Sequence, residues 1–592
     1  MFADPSRIRL QFDFPALDEH SSPFTFVDPL TVLVAHDPGD VLPVLETVDA
    51  HVRQGRYAAG YLAYEAATGI DADLRTRVSS RPPSSPPLAW FGLFTEPHAA
   101  EPLPPRDWSA SAWRPAIGQD AYVDAVEAVR QAIGQGDVYQ ANYSIRLRAD
   151  FEGDPWTCYQ QLRRAQGGAY AACLDLGRWQ ILSLSPELFF RQVADLIETR
   201  PMKGTRPRGR WVDEDRFLQT QLSASEKDRA ENVMIVDLMR NDLGRVARIG
   251  SVQVQSLFDV EAYGTVWQMV STVDARARPG AGWLDTLRAL FPSGSITGAP
   301  KIAAMQTIAS LETSPRGIYC GAIGIVTPHQ QAVFNVAIRT LVIDSTTNVA
   351  EYGSGGGITW DSRAAAEYDE VLAKARVLDE RWPEFQLIET FRQQDGGYVR
   401  LAKHLARLRA SADYFGVSPD WAGVERLLDR HAREHAGKTR RVRLTVDRGG
   451  RPELSSDECS RPESSMEMVL PTPKRIRLAV KSVSTDDRFL FHKTTHRTMY
   501  DERAGGDVFA VLQWNECGEL TEFNFGNLVV EIDGHRWTPP IDCGLLPGVY
   551  RAELLERGAI SEKRLTREDL AHATRIWLVN SLREEVEVRL VD

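Results

Sequence analysis

Through about residue 375 the chain alternates strand-like apolar runs with amphipathic helical stretches, with no internal repeat. A helix is predicted from about Ala364 through EVLAKARVLDE to Arg381. Trp382-Pro383 ends it, because proline disfavours a helical residue before it. Leu387-Ile388-Glu389-Thr390-Phe391 then starts a strand, and Gly396-Gly397 supplies a turn. This places a domain boundary near 380–386, giving domains of 1–380 and 387–592 in an α/β (α+β) chain. SSRPPSSPP at 79–87 reads as a surface loop. The Ser-, Gly-, Pro- and Glu-rich stretch Asp447–Pro471 reads as a loop joining two lobes of the second domain. A further helix is expected over Val549–Gly558.

The length of 592 residues itself calls for more than one core. A net charge of −12 argues against nucleic acid as a partner, since phosphate neutralisation needs a basic surface. It leaves room for an anionic small substrate met by a local cluster of arginines. The N-terminus MFADPSRIRLQFDFP lacks a basic segment followed by an apolar run, so no signal peptide is expected. No stretch has the apolar length of a membrane span. Cys158, Cys173, Cys320, Cys459, Cys517 and Cys543 lie far apart without a C-x-x-C pair, which fits reduced thiols in a cytoplasmic protein.

Two helical segments carry the first candidate chemistry. Ser225 is positioned as an N-cap for a helix in which Asp228 and Glu231 share a face at spacing i, i+3. Glu367-Tyr368-Asp369-Glu370 repeats the arrangement, with Lys374 one turn beyond Glu370. Paired carboxylates on two helices can build an oxygen-lined Mg²⁺ site. Taken alone they read more readily as solvated faces with ion pairs, which are common on helix surfaces. Between them lie Arg200-Pro201-Met202-Lys203-Gly204-Thr205-Arg206-Pro207-Arg208, Phe291–Lys301 with Ser295-Ile296-Thr297-Gly298, Ala337-Ile338-Arg339-Thr340, and the run Gly353-Ser354-Gly355-Gly356-Gly357-Ile358.

In that order these segments resemble the chorismate-utilising enzymes, the family of anthranilate, isochorismate and aminodeoxychorismate synthases, over roughly 115–375. A weaker match precedes them at Gly60-Tyr61-Leu62-Ala63-Tyr64-Glu65. The resemblance implies a sandwich of two large antiparallel sheets flanked by helices. It implies Mg²⁺ on Glu231 and Glu370, with Asp228 and Glu367 close by, anchoring the ring carboxylate of chorismate. Arg339 and the backbone N–H groups of Gly355, Gly356 and Gly357 would take the pyruvyl carboxylate, with Thr297, Gly298, Tyr319 and Lys374 in the same pocket. Isochorismate-type enzymes carry a lysine where Gly136-Asp137-Val138-Tyr139-Gln140 has glutamine, so activation of water is not expected. Lys203 stands where anthranilate synthases usually have alanine, which points to amination at the para carbon with Lys203 as the nucleophile. That role needs a neutral amine, hence a depressed pKa. The competing reading of Lys203 is a surface lysine beside three arginines. Gln268 replaces a histidine frequent in relatives, and Asn335 replaces a frequent carboxylate.

No Gly-x-Cys-x-Gly elbow with a downstream His-x-Glu is present, so ammonia is expected from a separate glutamine amidotransferase subunit or from solution. After the boundary, Glu389-Thr390-Phe391, His404-Leu405-Ala406-Arg407, His492-Lys493-Thr494, Leu520-Thr521-Glu522, Gly544–Arg551 and Asn580-Ser581 are similar to the fold-type-IV pyridoxal-phosphate enzymes. The resemblance implies two α+β lobes and a homodimer. It implies Lys493 as the lysine that joins pyridoxal 5′-phosphate and shuttles a proton, Glu522 at the pyridine nitrogen, and Arg407 with the N–H groups at Gly548 and Val549 on the phosphate. Beside such a synthase, this domain is expected to be the lyase that releases pyruvate and p-aminobenzoate. Two alternatives remain. One is an anthranilate-type synthase fused to an aminotransferase, and the other is a catalytically inactive scaffold in one of the domains.

Overall fold

A computed structural model describes residues 8–15, 23–78, 81–82, 84–100, 103–167, 169–379, 382–459, 472–501 and 508–591. The chain divides into two compact units. One comprises Met1–Arg208 and Leu218–Trp382, the other Gly209–Phe217 and Pro383–Asp592.

The first unit holds, among the described residues, an eleven-stranded and a ten-stranded sheet. Its longest pairing runs antiparallel between Gln140–Gly153 and the glycine-bearing strand Val349–Ile358, from Asp150 opposite Val349 to Ala141 opposite Ile358. Alternate side chains along these strands enter different cores, as a period of two requires. Ala172, Leu174 and Ile181 join Tyr61, Phe91 and Phe334 of the second sheet in one core. Their neighbours Ala171, Cys173 and Leu182 face helices Gln119–Gln135, Pro155–Gln166 and Ala364–Ala375, packing with Tyr122, Leu162 and Val371. Both faces of this sheet are therefore buried, and the expected sandwich with flanking helices is what forms.

Helix Glu226–Gly244 starts where its sequence says it should. Ser225 Oγ accepts from the Asp228 N–H at 3.3 Å, so one orphan donor of the first turn is satisfied. Ile235, Val236, Met239 and Leu243 are buried on the core face of this helix.

The second unit contains a four-stranded antiparallel sheet and an eight-stranded sheet with both parallel and antiparallel pairs. Leu387–Gln394 is the strand expected from Leu387, and Gly396 turns the chain at φ 80° into Gly397–Tyr398. Three boundaries differ from expectation. The helix begun at Ala364 is α-helical only to Ala375 and tightens into a 3₁₀ turn at Arg376–Leu378, while Arg381 lies outside the described residues. The helix from Val549 stops at Glu556, and Gly558 follows at φ 65°. Within the expected loop 447–471, Pro452–Glu458 pairs with Arg440–Val446 as the edge strand of the four-stranded sheet. Its polar composition suits an edge with much of its length in water, and composition alone did not separate that from a loop. Residues 460–471, like 79, 80 and 83 of the Pro/Ser stretch, lie outside the described residues.

Candidate active sites

In the first unit, strand Met202–Pro207 carries Lys203 beside the helix of paired carboxylates. Gly204 turns there at φ 86°, and a Cβ on it would lie 2.9 Å from Asp228 Cβ, so glycine permits the close approach. The three neighbouring arginines have partners of their own. Arg200 pairs with Glu261, Arg206 with Asp228 at 3.0 Å, and Arg208 lies 4.5 Å over the Trp267 ring. Lys203 is partly buried, and its Nζ donates to Asn142 Oδ1 at 3.2 Å. Desolvation pushes its pKa below the ordinary lysine value, aided by Lys374 and opposed by Glu231, Glu187 and Glu370.

Glu187, absent from the sequence reading, is the second ionisable group of this pocket. It is 2% exposed, and burial pushes its carboxyl up to about 7 against Ser295, Lys203 and the Met202 N–H, which favour the charged form. One of its oxygens has no partner within the described chain. A lone acid in the apolar run Ile181-Leu182-Ser183-Leu184-Ser185-Pro186-Glu187-Leu188-Phe189-Phe190 was the available signal, because a buried unpaired carboxylate is costly unless used.

The glycine strand and the second carboxylate helix meet close by, for Lys374 and Glu370 of that helix act on the Lys203 amine. Lys374 Nζ donates to the Gly355 carbonyl at 2.9 Å and pairs with Glu370 at 2.8 Å. A Cβ at Gly356 would stand 3.3 Å from Glu367 Oε2. At Gly357 it would stand 1.9 Å from Gln140 Nε2, and at Gly353 2.2 Å from the Tyr319 ring. Gln140 is fully buried, and both polar atoms of its amide lack a partner among the described residues. Tyr319 OH lies 3.4 Å from Ser144 Oγ. Thr297 is buried, its hydroxyl turned onto its own main chain at Ser293 O, 3.0 Å away. Gly298, at φ 139°, lets the chain pass within 2.1 Å of where a Cβ would meet Gln140 O. Arg339 donates to Gln166 Oε1 at 3.0 Å.

The two substituted positions have structural employment. Gln268 donates to Gly204 O at 2.9 Å and accepts from Thr205 Oγ1 at 3.0 Å, which fixes the strand bearing Lys203. Asn335 accepts from Ile323 N–H and donates to Tyr170 O and Ser183 Oγ, a buried amide with both ends satisfied.

The four acids proposed around Mg²⁺ are all engaged. Asp228 is held by Arg206, Glu367 accepts from Ser362 Oγ at 2.7 Å, Glu370 pairs with Lys374, and Lys227 lies 3.8 Å from Glu231. Among the described residues no three acids converge as a ready cage. Charge and donor type do fit a hard cation. Burial holds the Glu231 pKa up, with Lys203 and Lys227 opposing and Asp228 and Glu367 adding to the rise, and four carboxylates offer the oxygen donors a hard cation takes.

In the second unit, Lys493 is partly buried, and desolvation lowers its pKa to about 8, with Arg407 adding to the fall. Glu522 is 4% exposed and accepts from Tyr500 OH at 2.6 Å, Asn527 Nδ2 at 3.1 Å and the Leu546 N–H at 3.1 Å. Burial still pushes it up to about 7, so this carboxylate suits one further donor of positive character, such as a protonated pyridine nitrogen. A neutral amine at Lys493 suits condensation with an aldehyde. A Cβ at Gly548 would fall 1.9 Å from Asn527 Oδ1, and Gly548 caps the helix Val549–Glu556 with its N–H groups unencumbered by a capping side chain. Arg407 grips Glu389 through Nε and Nη2, each at 2.8 Å, and reaches Pro547 O at 3.2 Å. Glu389 also meets His404 Nδ1 at 2.7 Å, and His404 Nε2 meets Ser581 Oγ at 2.8 Å. Arg407 and His404 hold the Glu389 carboxyl down at about 2 despite its burial. The residues present therefore fit pyridoxal phosphate. Sequence reasoning had placed Glu389 and Ser581 in motifs without assigning them this network.

Residues 20–380 match the family described as chorismate binding enzyme, and 386–591 match amino-transferase class IV. Over 270 residues the chain is 43% identical to an aminodeoxychorismate synthase of Streptomyces griseus, covering 45% of this chain and 37% of that protein. It is 42% identical over 292 residues to aminodeoxychorismate synthase component 1 of Klebsiella aerogenes, covering 49% and 63%. The matched stretches thus span less than two thirds of these relatives. Anthranilate synthase component I of Streptococcus pneumoniae superposes with a TM-score of 0.50 at 26% identity, covering 64% of this chain and 91% of that one. Among the described residues no helix is long and apolar enough to cross a membrane.

Proposed function

Because the chain belongs to the chorismate-binding enzymes, we propose that its first unit aminates chorismate at the para carbon and that its second converts the product to p-aminobenzoate and pyruvate. The observation that carries the reading is Lys203. Its amine has a lowered pKa and stands beside the proton-holding Glu187 and the acceptor Asn142.

The first reaction exchanges the ring hydroxyl for an amine. A neutral Lys203 adds to C2, the C1=C2 pair shifts to C1=C6, the C5=C6 pair shifts to C4=C5, and the C4–O bond breaks. Hydroxide is a poor leaving group, so a proton delivered to that oxygen lowers the barrier. Glu187, protonated below about pH 7, is the donor. Ammonia then bonds to C4, the pairs return, and the C2–N bond to Lys203 breaks. The net change is chorismate plus ammonia to aminodeoxychorismate plus water. Glu231 and Glu370, with Asp228 and Glu367 behind them, would hold Mg²⁺, which when bound supplies charge neutralisation for the ring carboxylate. Arg339 and the N–H groups of Gly355–Gly357 serve the pyruvyl carboxylate. Gln140 offers no lysine base for water. Ammonia comes from a separate glutamine amidotransferase or from solution, and the working form is a homodimer in the cytoplasm.

The second reaction removes the C4 proton and breaks the C3–O bond. The ring becomes aromatic and the enolpyruvyl group departs as pyruvate. Pyridoxal phosphate when bound supplies an electron sink. Lys493 takes the proton from C4 and returns one to the departing group. Glu522 holds the ring-nitrogen side of the pocket, and Arg407 with the Gly548–Val549 N–H groups takes the phosphate.

The test is the full chain with chorismate, Mg²⁺, ammonium and pyridoxal phosphate, with products separated by chromatography and weighed by mass spectrometry. p-Aminobenzoate with pyruvate is expected, with aminodeoxychorismate accumulating only in Lys493→Ala. Fluorescent anthranilate would overturn the ring position. An amino intermediate that the intact chain never converts would overturn the lyase assignment.

A further inference from the structure

We propose that Asn142 is the positioning residue for Lys203, its amide oxygen aiming the amine at the ring while adding no charge to the pocket. The inference rests on the reading of Lys203 as nucleophile. Asn142 is 8% exposed, and all four of its polar groups are spent. Its N–H donates to Thr297 O at 2.8 Å, and its carbonyl accepts from Arg316 at 2.7 Å, so the main chain is pinned on both sides. Its Nδ2 donates to the Ser295 carbonyl. A carbonyl only accepts, so the amide nitrogen must face Ser295 and the oxygen must face outward. That oxygen receives Lys203 Nζ.

The choice of an amide has chemical content. A carboxylate at the same place would orient the amine equally well, yet it would favour the ammonium form, which has no lone pair to give. Three acids near Lys203, Glu231, Glu187 and Glu370, already pull that way, so a neutral acceptor orients the amine without adding to the pull. Accepting one N–H also fixes the rotation about the Cε–Nζ bond, so the remaining amine face, with its lone pair, is turned from Asn142. Ser295 links this anchor to Glu187, since its hydroxyl holds the acid while its carbonyl holds the amide. Gly357, opposite Asn142 in the register, leaves room for the amide. A Cβ there would lie 2.9 Å from Asn142 Oδ1.

The experiment uses the full chain without ammonium. Chorismate added to it leaves a covalent adduct on Lys203, equal to chorismate less water, which intact-mass spectrometry follows in time. Asn142→Ala and the near-isosteric Asn142→Leu should slow adduct formation about a hundredfold, the cost typical of a misaimed reacting group. KM for chorismate and the thermal midpoint should stay near the parent values in at least one of the two. Adduct formation within about twofold of the parent in either folded variant overturns the inference, as does a loss expressed in KM alone. Absence of any adduct in the parent chain, as in Lys203→Ala, would instead remove the nucleophile reading, and Asn142's role with it.

Discussion

Lys203 and Glu187 share a pocket whose burial moves both toward their uncharged forms, one acid rising as one base falls. A donor that titrates near 7 gives an amination rate that declines as pH rises through that value. Glu187→Gln is expected to reduce kcat for amination by about 10²-fold or more while KM changes little, and to remove that decline. A pH–rate profile of the variant beside the parent checks both. Glu389 makes the opposite case. Its folded pKa of about 2 lies below the ordinary carboxylate value, so its contribution to stability is present above about 4.5 and is lost as pH falls toward 2. Glu389→Gln should flatten that acid loss. It should also lower stability at neutral pH by about 3 kcal/mol, because Arg407 is left buried without its counter-charge. Thermal unfolding at pH 3 and pH 7 reads the difference. Lys203 stood out in the sequence because its motif is distinctive. Glu187 did not, since a lone acid in an apolar run is a faint signal until its burial is known.

At the scale of elements, the cap at Ser225 and the strand from Leu387 were readable because local chemistry sets them: a hydroxyl three residues before an orphan N–H, and an apolar run bounded by turn residues. The edge strand Pro452–Glu458 was not, because its pairing with Arg440–Val446 depends on a neighbour and its own residues favour water. The helix from Ala364 also ended early, tightening into a 3₁₀ turn in which Val377 and Leu378 are buried. The glycine strand behaves differently again. Its repeat was visible, but its reason was not, for only the opposing strand shows Gln140 and Ser144 filling the space where side chains would project. Gly357→Ala is expected to displace the Gln140 amide, to cost at least tenfold in kcat/KM for chorismate and to lower the thermal midpoint, because a Cβ there overpacks a buried side chain.

Across the whole molecule, two units with separate sheets predict separable defects. Lys203→Ala chains should make no amino intermediate, and Lys493→Ala chains should make one and stop. An equimolar mixture of the two should form p-aminobenzoate after a lag that shortens as more Lys203→Ala chain is added. A silent mixture would mean that the intermediate never leaves the chain that made it. The division into two domains could be read from Trp382-Pro383 and the strand beyond it. The membership of Gly209–Phe217 in the second unit could not, because nothing local marks a segment whose neighbours are distant in sequence.

The surface proposed for the pyruvyl carboxylate lies on a strand made by omission, at Gly353, Gly355 and Gly357, where any Cβ would collide with Tyr319, Ser144 or Gln140. Heredity gives such a surface little latitude. Every single-nucleotide change that replaces a glycine codon with another amino acid introduces a side chain, so no small step in sequence space avoids the collision. Drift can shrink or recharge most pockets by degrees, whereas this one is expected to persist unaltered or to close, and lineages that change its shape should do so by first moving the opposing strand.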